Sequence, residues 1–223
     1  RVSPKIIGIY VFDKKKFKNL FFKEINNEKN QDNINFELLI KFLEENIFKI
    51  ENLIGTFVKN ISLIIENKKI FNLNFSLKKK NYERIINISL IENILTEAKD
   101  LFKENYQDQK IIHMNIENFL VDGHRYLKIP NDIKCDNLCL EVKFISISND
   151  FIFEIEKVLE RYQIKIIKSL NENYIRSLFK YNEIELSLMA HKTQLGYNEN
   201  EVYLIPKNPK KSGFFEKFFQ LFS

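Results

Sequence analysis

The chain has 223 residues, 44% of them hydrophobic, so it can bury a core and is not an intrinsically disordered protein. Its net charge of +5 is modest and spread along the sequence, which does not indicate a nucleic-acid-binding protein. No apolar run approaches the ~18 residues of a membrane span and no signal peptide is visible, so we expect a soluble or peripheral protein.

The first predicted block, residues 1–68, contains a hairpin, a long helix and a buried strand. Apolar residues spaced at three and four after Asn33 or Asn35, either of which can cap, indicate a core-facing helix. The predicted elements are strands at 5–12 and 17–25, a helix at 36–58 and a strand at 61–65 beside the hairpin. Because the sequence starts at Arg1 and not at Met, we expect its amino-terminal end to have been cut off.

The second predicted block, residues 69–172, contains four strands and two helices. Strict alternation from Phe71 to Lys78 is typical of a half-buried strand, and Ser89 with Glu92 forms a predicted capping box. The predicted elements are a strand at 71–78, a helix from 89 to about 104, strands at 110–122 and 138–147, a helix near 149–162 and a strand at 164–169. This order is that of a ferredoxin-like sandwich, although other two-layer folds share it. The predicted fold class is therefore α+β.

The remainder of the chain is predicted to be a helical segment, a linker and a terminal helix. Residues 173–195 have a weak helical pattern, and residues 196–211 have the composition of a linker with Pro206 and Pro209. Residues 212–223 are predicted to form a terminal amphipathic helix.

Residue types that could support catalysis occur without the partners that catalysis needs. The five glycines are isolated from one another, so no phosphate-binding loop is visible, and no histidine is tied to a nucleophile. We interpret Asp122-Gly123-His124 as a turn and His113 as a structural histidine. Cys135 and Cys139 are an even number of residues apart, so both side chains could point to the same side. We interpret them as small apolar side chains of a protein in a reducing compartment. The sequence thus predicts no catalytic residue, no cofactor and no metal site.

The terminal helix is predicted to bind a membrane surface. On a helical wheel its apolar residues fill one arc, and Glu216, Lys217 and Gln220 fill the other. The predicted membrane-binding residues are Lys210, Lys211, Phe214, Phe215, Lys217, Phe218, Phe219, Leu221 and Phe222. Insertion is partial and the segment must fold as it binds, so one copy should bind weakly and several copies should bind firmly. The alternative is a last helix that docks on the core of the chain itself.

Two separated stretches resemble a known family. The segment from Ile111 to Gly123 is similar to a stretch of FtsA, the actin-like bacterial cell-division protein, with two hydrophobic residues, His, and a later Asp-Gly. The family's Ile-x-x-Pro loop corresponds here to residues 128–130. Its Asn-Asp pair corresponds to residues 149–150, and the Val-Glu-Arg of the helix that follows corresponds to residues 159–161. Residues 210–219 resemble the membrane-targeting helix with which the family commonly ends.

The resemblance implies a partial actin-like lobe at residues 1–65, followed by the inserted subdomain of the family at 71–170. The family's phosphate loop and second lobe do not follow, so the resemblance implies a reduced, non-catalytic form. It places the protein at the division site on the cytoplasmic side of the cell membrane. The partners it implies are neighbouring copies and other division proteins, FtsZ or later ones, although the family binds FtsZ mainly through the second lobe.

Two alternatives stay open at this point. A ferredoxin-like block can bind RNA when bases stack on exposed aromatic residues of the sheet, but the sequence lacks the usual aromatic and glycine pattern, and we expect no nucleic acid. A degenerate actin-type ATPase would require a glycine-rich loop, which the sequence does not contain.

Overall fold

The computed structural model describes residues 1–27, 34–130, 132–179 and 184–202, and it confirms the predicted α+β class. The first elements are β1 (Ile6–Asp13), β2 (Lys18–Asn26), α1 (Phe36–Ile54), β3 (Asn60–Ile65), β4 (Phe71–Ile85) and α2 (Ile88–Asn105). They are followed by β5 (Gln109–Val121), β6 (His124–Tyr126), β7 (Lys134–Ser148), α3 (Asn149–Glu160), β8 (Lys165–Asn171), α4 (Glu172–Leu178) and α5 (Leu186–Gln194). The predicted terminal helix, 212–223, lies outside the described residues.

The chain divides into two compact units, and one is inserted into the other. Among the described residues, 1–70 and 147–198 form the first unit, whereas 71–146 and 199–202 form the second. The predicted boundary at residue 172 differs from this division, because α3 and β8 belong to the first unit. The reason is strand pairing: β8 pairs in parallel with β3, which lies about a hundred residues earlier in the chain.

The first unit has helices on both faces of its strands. β1 and β2 form the predicted antiparallel hairpin, and β3 pairs with β8. Tyr10 and Ile64 pack in a cluster with α4 and α5. Lys23, opposite Ile9 in the hairpin, reaches Asn46 of α1 on the other face. The predicted helical segment 173–195 is confirmed as helical but contains two helices, α4 and α5.

Local chemistry explains where α1 begins and ends. The Asn35 side chain accepts a hydrogen bond from the Leu38 amide at 3.0 Å, as one of the two predicted caps. Gly55 ends the helix in the left-handed region with φ 72°, where glycine has no Cβ to clash. The helix is therefore shorter than the predicted 36–58.

In its described residues, the second unit contains a four-stranded sheet and the helix α2. The strand order is β4-β7-β5-β6, and the apolar stripe of α2 packs on one face of the sheet. The predicted ferredoxin-like arrangement of the 71–170 block is wrong, because its last helix and strand are not part of this sheet. The short strand β6 was not predicted, since three residues are too few to show a pattern.

The start of α2 corrects the predicted capping box. Asn87, not Ser89, is the N-cap, and its side chain accepts from the Leu90 amide at 2.8 Å. We expect Asn87→Ala to lower the free energy of unfolding by about 1 kcal/mol, because this bond is lost. Ser89→Ala, in the first turn of the helix, is the matched control and should change the free energy of unfolding by less than about 0.5 kcal/mol. Urea unfolding measures both, and equal losses would contradict this assignment of the cap.

Candidate interaction surfaces

The predicted membrane-binding residues lie outside the described part of the chain. They are Lys210, Lys211, Phe214, Phe215, Lys217, Phe218, Phe219, Leu221 and Phe222. Within the described residues, no helix is long and apolar enough to cross a bilayer. Membrane binding through this segment remains a prediction from sequence.

The segment that leads toward these residues is attached to the second unit. Glu201 bridges antiparallel to Asn115 of β5, and the Val202 amide donates to the Met114 carbonyl at 2.7 Å. Val202 is buried in the core of the unit. The predicted linker 196–211 is therefore wrong in its first part, because residues 200–202 add a short strand to the sheet.

A buried polar pair fixes this added strand. The Nδ1 atom of His113 lies 2.7 Å from Oε1 of Glu201, and both side chains are almost fully buried. This arrangement confirms the interpretation of His113 as a structural histidine. The role of Glu201 was not predicted.

The face of β4 that points away from the core is polar from Asn72 to Lys78. The phenylalanines of β4 and β7 point to the core, where Phe75 packs edge-on against Phe144 and Phe71 packs against Tyr106. The alternate positions of β4 on the other face are Asn72, Asn74, Ser76 and Lys78. Stacking of bases needs aromatic rings on that face, so these strands do not favour the RNA-binding alternative.

β4 is an edge strand whose pairing with β7 is irregular near its carboxyl-terminal end. No other strand of the described residues pairs with its outer edge, which leaves backbone groups open for a partner strand. Its pairing with β7 shifts between Lys80 and Arg84, and Tyr82 and Glu83 there have positive φ angles. Tyr82 is 69% exposed, next to the basic residues of this end. An exposed aromatic residue beside an open edge is suited to binding another protein.

The residues considered for catalysis lie in a turn, in β6 and in α5. Asp122 and Gly123, both with positive φ, form the predicted tight turn between β5 and β6, and the Asp122 carboxylate accepts from the Asn137 amide at 2.8 Å. His124 is exposed in β6. His191 of α5 lies beside the ring of Phe12, and burial, followed by the charge of a nearby lysine, lowers its pKa.

The two cysteines do not point the same way. Cys135 is buried in the core, as predicted for an apolar side chain, together with Leu138 and Leu140. Cys139 lies between these leucines in β7, so it faces the opposite side of the sheet. The even spacing fails because the register shifts near Cys135. Burial raises the pKa of both thiols, which lowers the fraction of reactive thiolate.

An ion-pair network ties the hairpin of the first unit to α4. The Arg1 guanidinium donates to both carboxylate oxygens of Glu172 at 2.7 Å and to Glu24 at 2.8 Å. The hydroxyl of Tyr10 also donates to Glu24. Burial raises the pKa of Glu24, but the hydrogen bonds from Tyr10 and Arg1 outweigh it, and the pKa is held below its usual value.

This lowered pKa predicts an acid-sensitive contribution to stability. A carboxylate whose pKa is lower in the folded state stabilises the fold above its unfolded pKa of about 4.3, and the contribution is lost as pH falls below that value. We expect the midpoint of thermal unfolding to fall more between about pH 5 and pH 3 in the native chain than in Glu24→Gln. Parallel pH profiles of the two proteins would contradict this.

Comparison with known proteins finds no matching protein-family model and no matching curated protein. Among the described residues, no group of three or more His, Cys, Asp or Glu side chains is arranged to hold a metal ion. The features available for a functional proposal are the inserted unit, the β4 edge and the terminal sequence.

Proposed function

We propose that this chain is a non-catalytic cell-division adaptor, resembling a reduced FtsA, that tethers division proteins to the cytoplasmic membrane. The observation that carries the proposal is the insertion of residues 71–146 as a compact unit between β3 and α3 of the first unit. An inserted subdomain in a first actin-like lobe is what the resemblance to this family implies.

The order of elements in the first unit supports the same proposal. It starts with a hairpin, α1 and β3, as expected for the opening of an actin-like lobe, and it resumes after the insertion with α3 and β8. The parallel pairing of β3 with β8, with helices on both faces, is consistent with an α/β core of this kind.

Partner binding is assigned to the inserted unit. Its outer edge strand β4 can add a strand from another protein, and Tyr82 beside that edge supplies an exposed aromatic side chain. The partners proposed are neighbouring copies of the chain and other division proteins. Copies that associate would carry several terminal helices, which makes weak individual membrane binding firm.

Membrane attachment is assigned to residues 212–223 by their sequence. Flotation with anionic lipid vesicles tests it, comparing the full chain with a chain that lacks residues 208–223. We expect the full chain to float and the shortened chain to stay in the dense fraction. Because Lys210 and Lys211 act through charge, added salt should reduce flotation.

Point variants separate insertion from a change in folding. Phe218→Asp with Phe219→Asp places charge in the apolar arc and should reduce the floating fraction roughly tenfold or more, because apolar burial drives the insertion. Gln220→Asp, in the polar arc, is the matched control and should float nearly as the native chain does. Equal flotation of the full chain and the chain without residues 208–223 would overturn the membrane assignment.

A further inference from the structure

A slot one strand wide separates β1 from β3 in the first unit. β1 pairs with β2 on its other side, and β3 pairs with β8. Among the described residues, only the segment Arg1–Ser3 joins the two pairs, with Val2 bridged to Ile7 and to Ile65. Beyond this segment, the facing stretches of β1 and β3 line a cavity of about 570 Å³. We call this cavity the strand slot.

The segment at the end of the strand slot defines the direction of a strand in it. The segment that contains Val2 is antiparallel to β1, where Val2 bridges to Ile7, and parallel to β3, where Val2 bridges to Ile65. The Gly8 amide donates to the Arg1 carbonyl at 2.9 Å, and the Val2 amide donates to the Ile64 carbonyl at 2.8 Å. One strand therefore fits between β1 and β3 at the usual spacing of about 4.8 Å on each side.

Backbone groups of both facing strands point into the strand slot. Gly8 exchanges hydrogen bonds with Arg1, so by alternation Tyr10 and Phe12 present their amides and carbonyls on the same side of β1. On β3, Ile64 faces Val2, so Ser62 presents its backbone groups to the slot. Unpaired backbone groups inside a sheet are costly, and a strand between these edges would pair them.

The two walls of the strand slot differ in chemistry. The wall formed by α1 and α3 is apolar, with Leu39, Phe42, Leu43, Ile155 and Leu159. The wall formed by α5 is more polar, with Ser187, His191 and Gln194. The Ser187 hydroxyl is buried without a hydrogen-bond partner. A strand that alternates apolar and small polar residues matches both walls.

The amino group of Arg1 lies in a position suited to a peptide amide. It donates to the Gly8 carbonyl at 2.8 Å, as a strand amide would. Burial, together with the charge of the Arg1 guanidinium, lowers the pKa of this amino group to about 5. An uncharged peptide N–H would make the same hydrogen bond without the cost of burying a charge.

We propose that the strand slot accommodates one further β-strand of about five residues, joined to Arg1, antiparallel to β1 and parallel to β3. Its residues opposite Ile9 and Val11 face the apolar wall, because Val2 and Ile7 share that side. Its residues opposite Tyr10 and Phe12 face α5. The added strand joins the two strand pairs into one continuous sheet.

The test extends the 223-residue chain before Arg1 with Val-Thr-Ile-Thr-Val, which places threonine opposite Tyr10 and Phe12. The matched control is Val-Pro-Ile-Pro-Val, in which proline removes the two N–H groups that would donate to β1. We expect the first extension to raise the midpoint of thermal unfolding by about 5 °C or more and the control to leave it nearly unchanged. The amides of Tyr10, Phe12 and Ser62 should exchange with solvent roughly tenfold more slowly in the first extension.

A measurement on the chain itself needs no variant. Without an extension, the amides of Tyr10 and Phe12 should exchange faster than that of Ile9, which bonds to β2. The proposal would be overturned if the amides of Tyr10 and Phe12 exchanged slowly in the chain without an extension. It would also be overturned if the two extensions changed the midpoint of thermal unfolding equally. A small apolar molecule that co-purifies with the chain and stays bound in the first extension, as seen by native mass spectrometry, would also overturn it. Vesicle flotation is independent of the strand slot, so failure of one proposal leaves the other testable.

Discussion

Glu201→Ala is expected to destabilise the second unit by about 3 kcal/mol, because it leaves the ring of His113 buried without the carboxylate that it contacts at 2.7 Å. The pair also fixes the strand at 200–202, whose Val202 side chain is in the core. Urea unfolding gives the free energy. Hydrogen exchange at the Val202 amide, which bonds to Met114, shows whether this strand detaches.

The matched control is Glu199→Ala, two residues earlier on the same segment. Glu199 pairs with Lys128 at 2.6 Å, but the Glu199 side chain is 69% exposed and the Lys128 side chain is 76% exposed. An exposed pair contributes little, so we expect a loss below about 1 kcal/mol. The double variant His113→Ala/Glu201→Ala should lose less than the sum of the single variants. Similar losses for Glu201→Ala and Glu199→Ala would show that the buried pair does not stabilise the unit.

Phe102→Ala is expected to cost about 4 kcal/mol, the range seen when a large aromatic side chain is removed from a packed core. Phe102 of α2 is fully buried and stacks on Phe144 of β7 with ring centroids 4.8 Å apart. Its removal leaves a cavity at the contact between helix and sheet, and the neighbouring rings cannot close it without moving the backbone. Urea unfolding and loss of near-ultraviolet circular dichroism measure the effect.

Phe48→Ala is the matched control for this change. Phe48 lies on α1 and is 70% exposed, so the same truncation creates no cavity and should cost less than about 1 kcal/mol. Phe102→Leu keeps most of the apolar volume and should recover part of the stability. A loss for Phe102→Ala no larger than that for Phe48→Ala would show that this contact is not part of the core.

Local sequence patterns predicted most helices and strands because their periodicity follows from burial on one face. The alternation from Phe71 to Lys78 predicted β4, and the apolar spacing after Asn35 predicted α1. Strand pairing was not predictable in this way. β3 and β8 are each identified by local residues, but nothing local indicates that they pair across the inserted unit. The ferredoxin-like arrangement was wrong for this reason.

The features of the candidate surfaces were predictable only in part. His113 was correctly interpreted as structural from its place within an apolar strand, but its partner Glu201 is 88 residues away. The apolar Val202 was the one local sign that this segment is part of the core. The prolines were interpreted as marking a linker. The strand slot depends on two strand edges that face each other, which no local pattern contains.

We propose that the chain acts at the division site through membrane attachment. Imaging a fluorescent fusion of the full chain in the cells that encode it, beside the Phe218→Asp/Phe219→Asp variant and the Gln220→Asp control, tests this most directly. We predict a band at the division site for the full chain and for the control, and diffuse fluorescence for the double variant. A full-chain fusion that is evenly distributed, or that follows the membrane without enrichment at the division site, would contradict the proposed role.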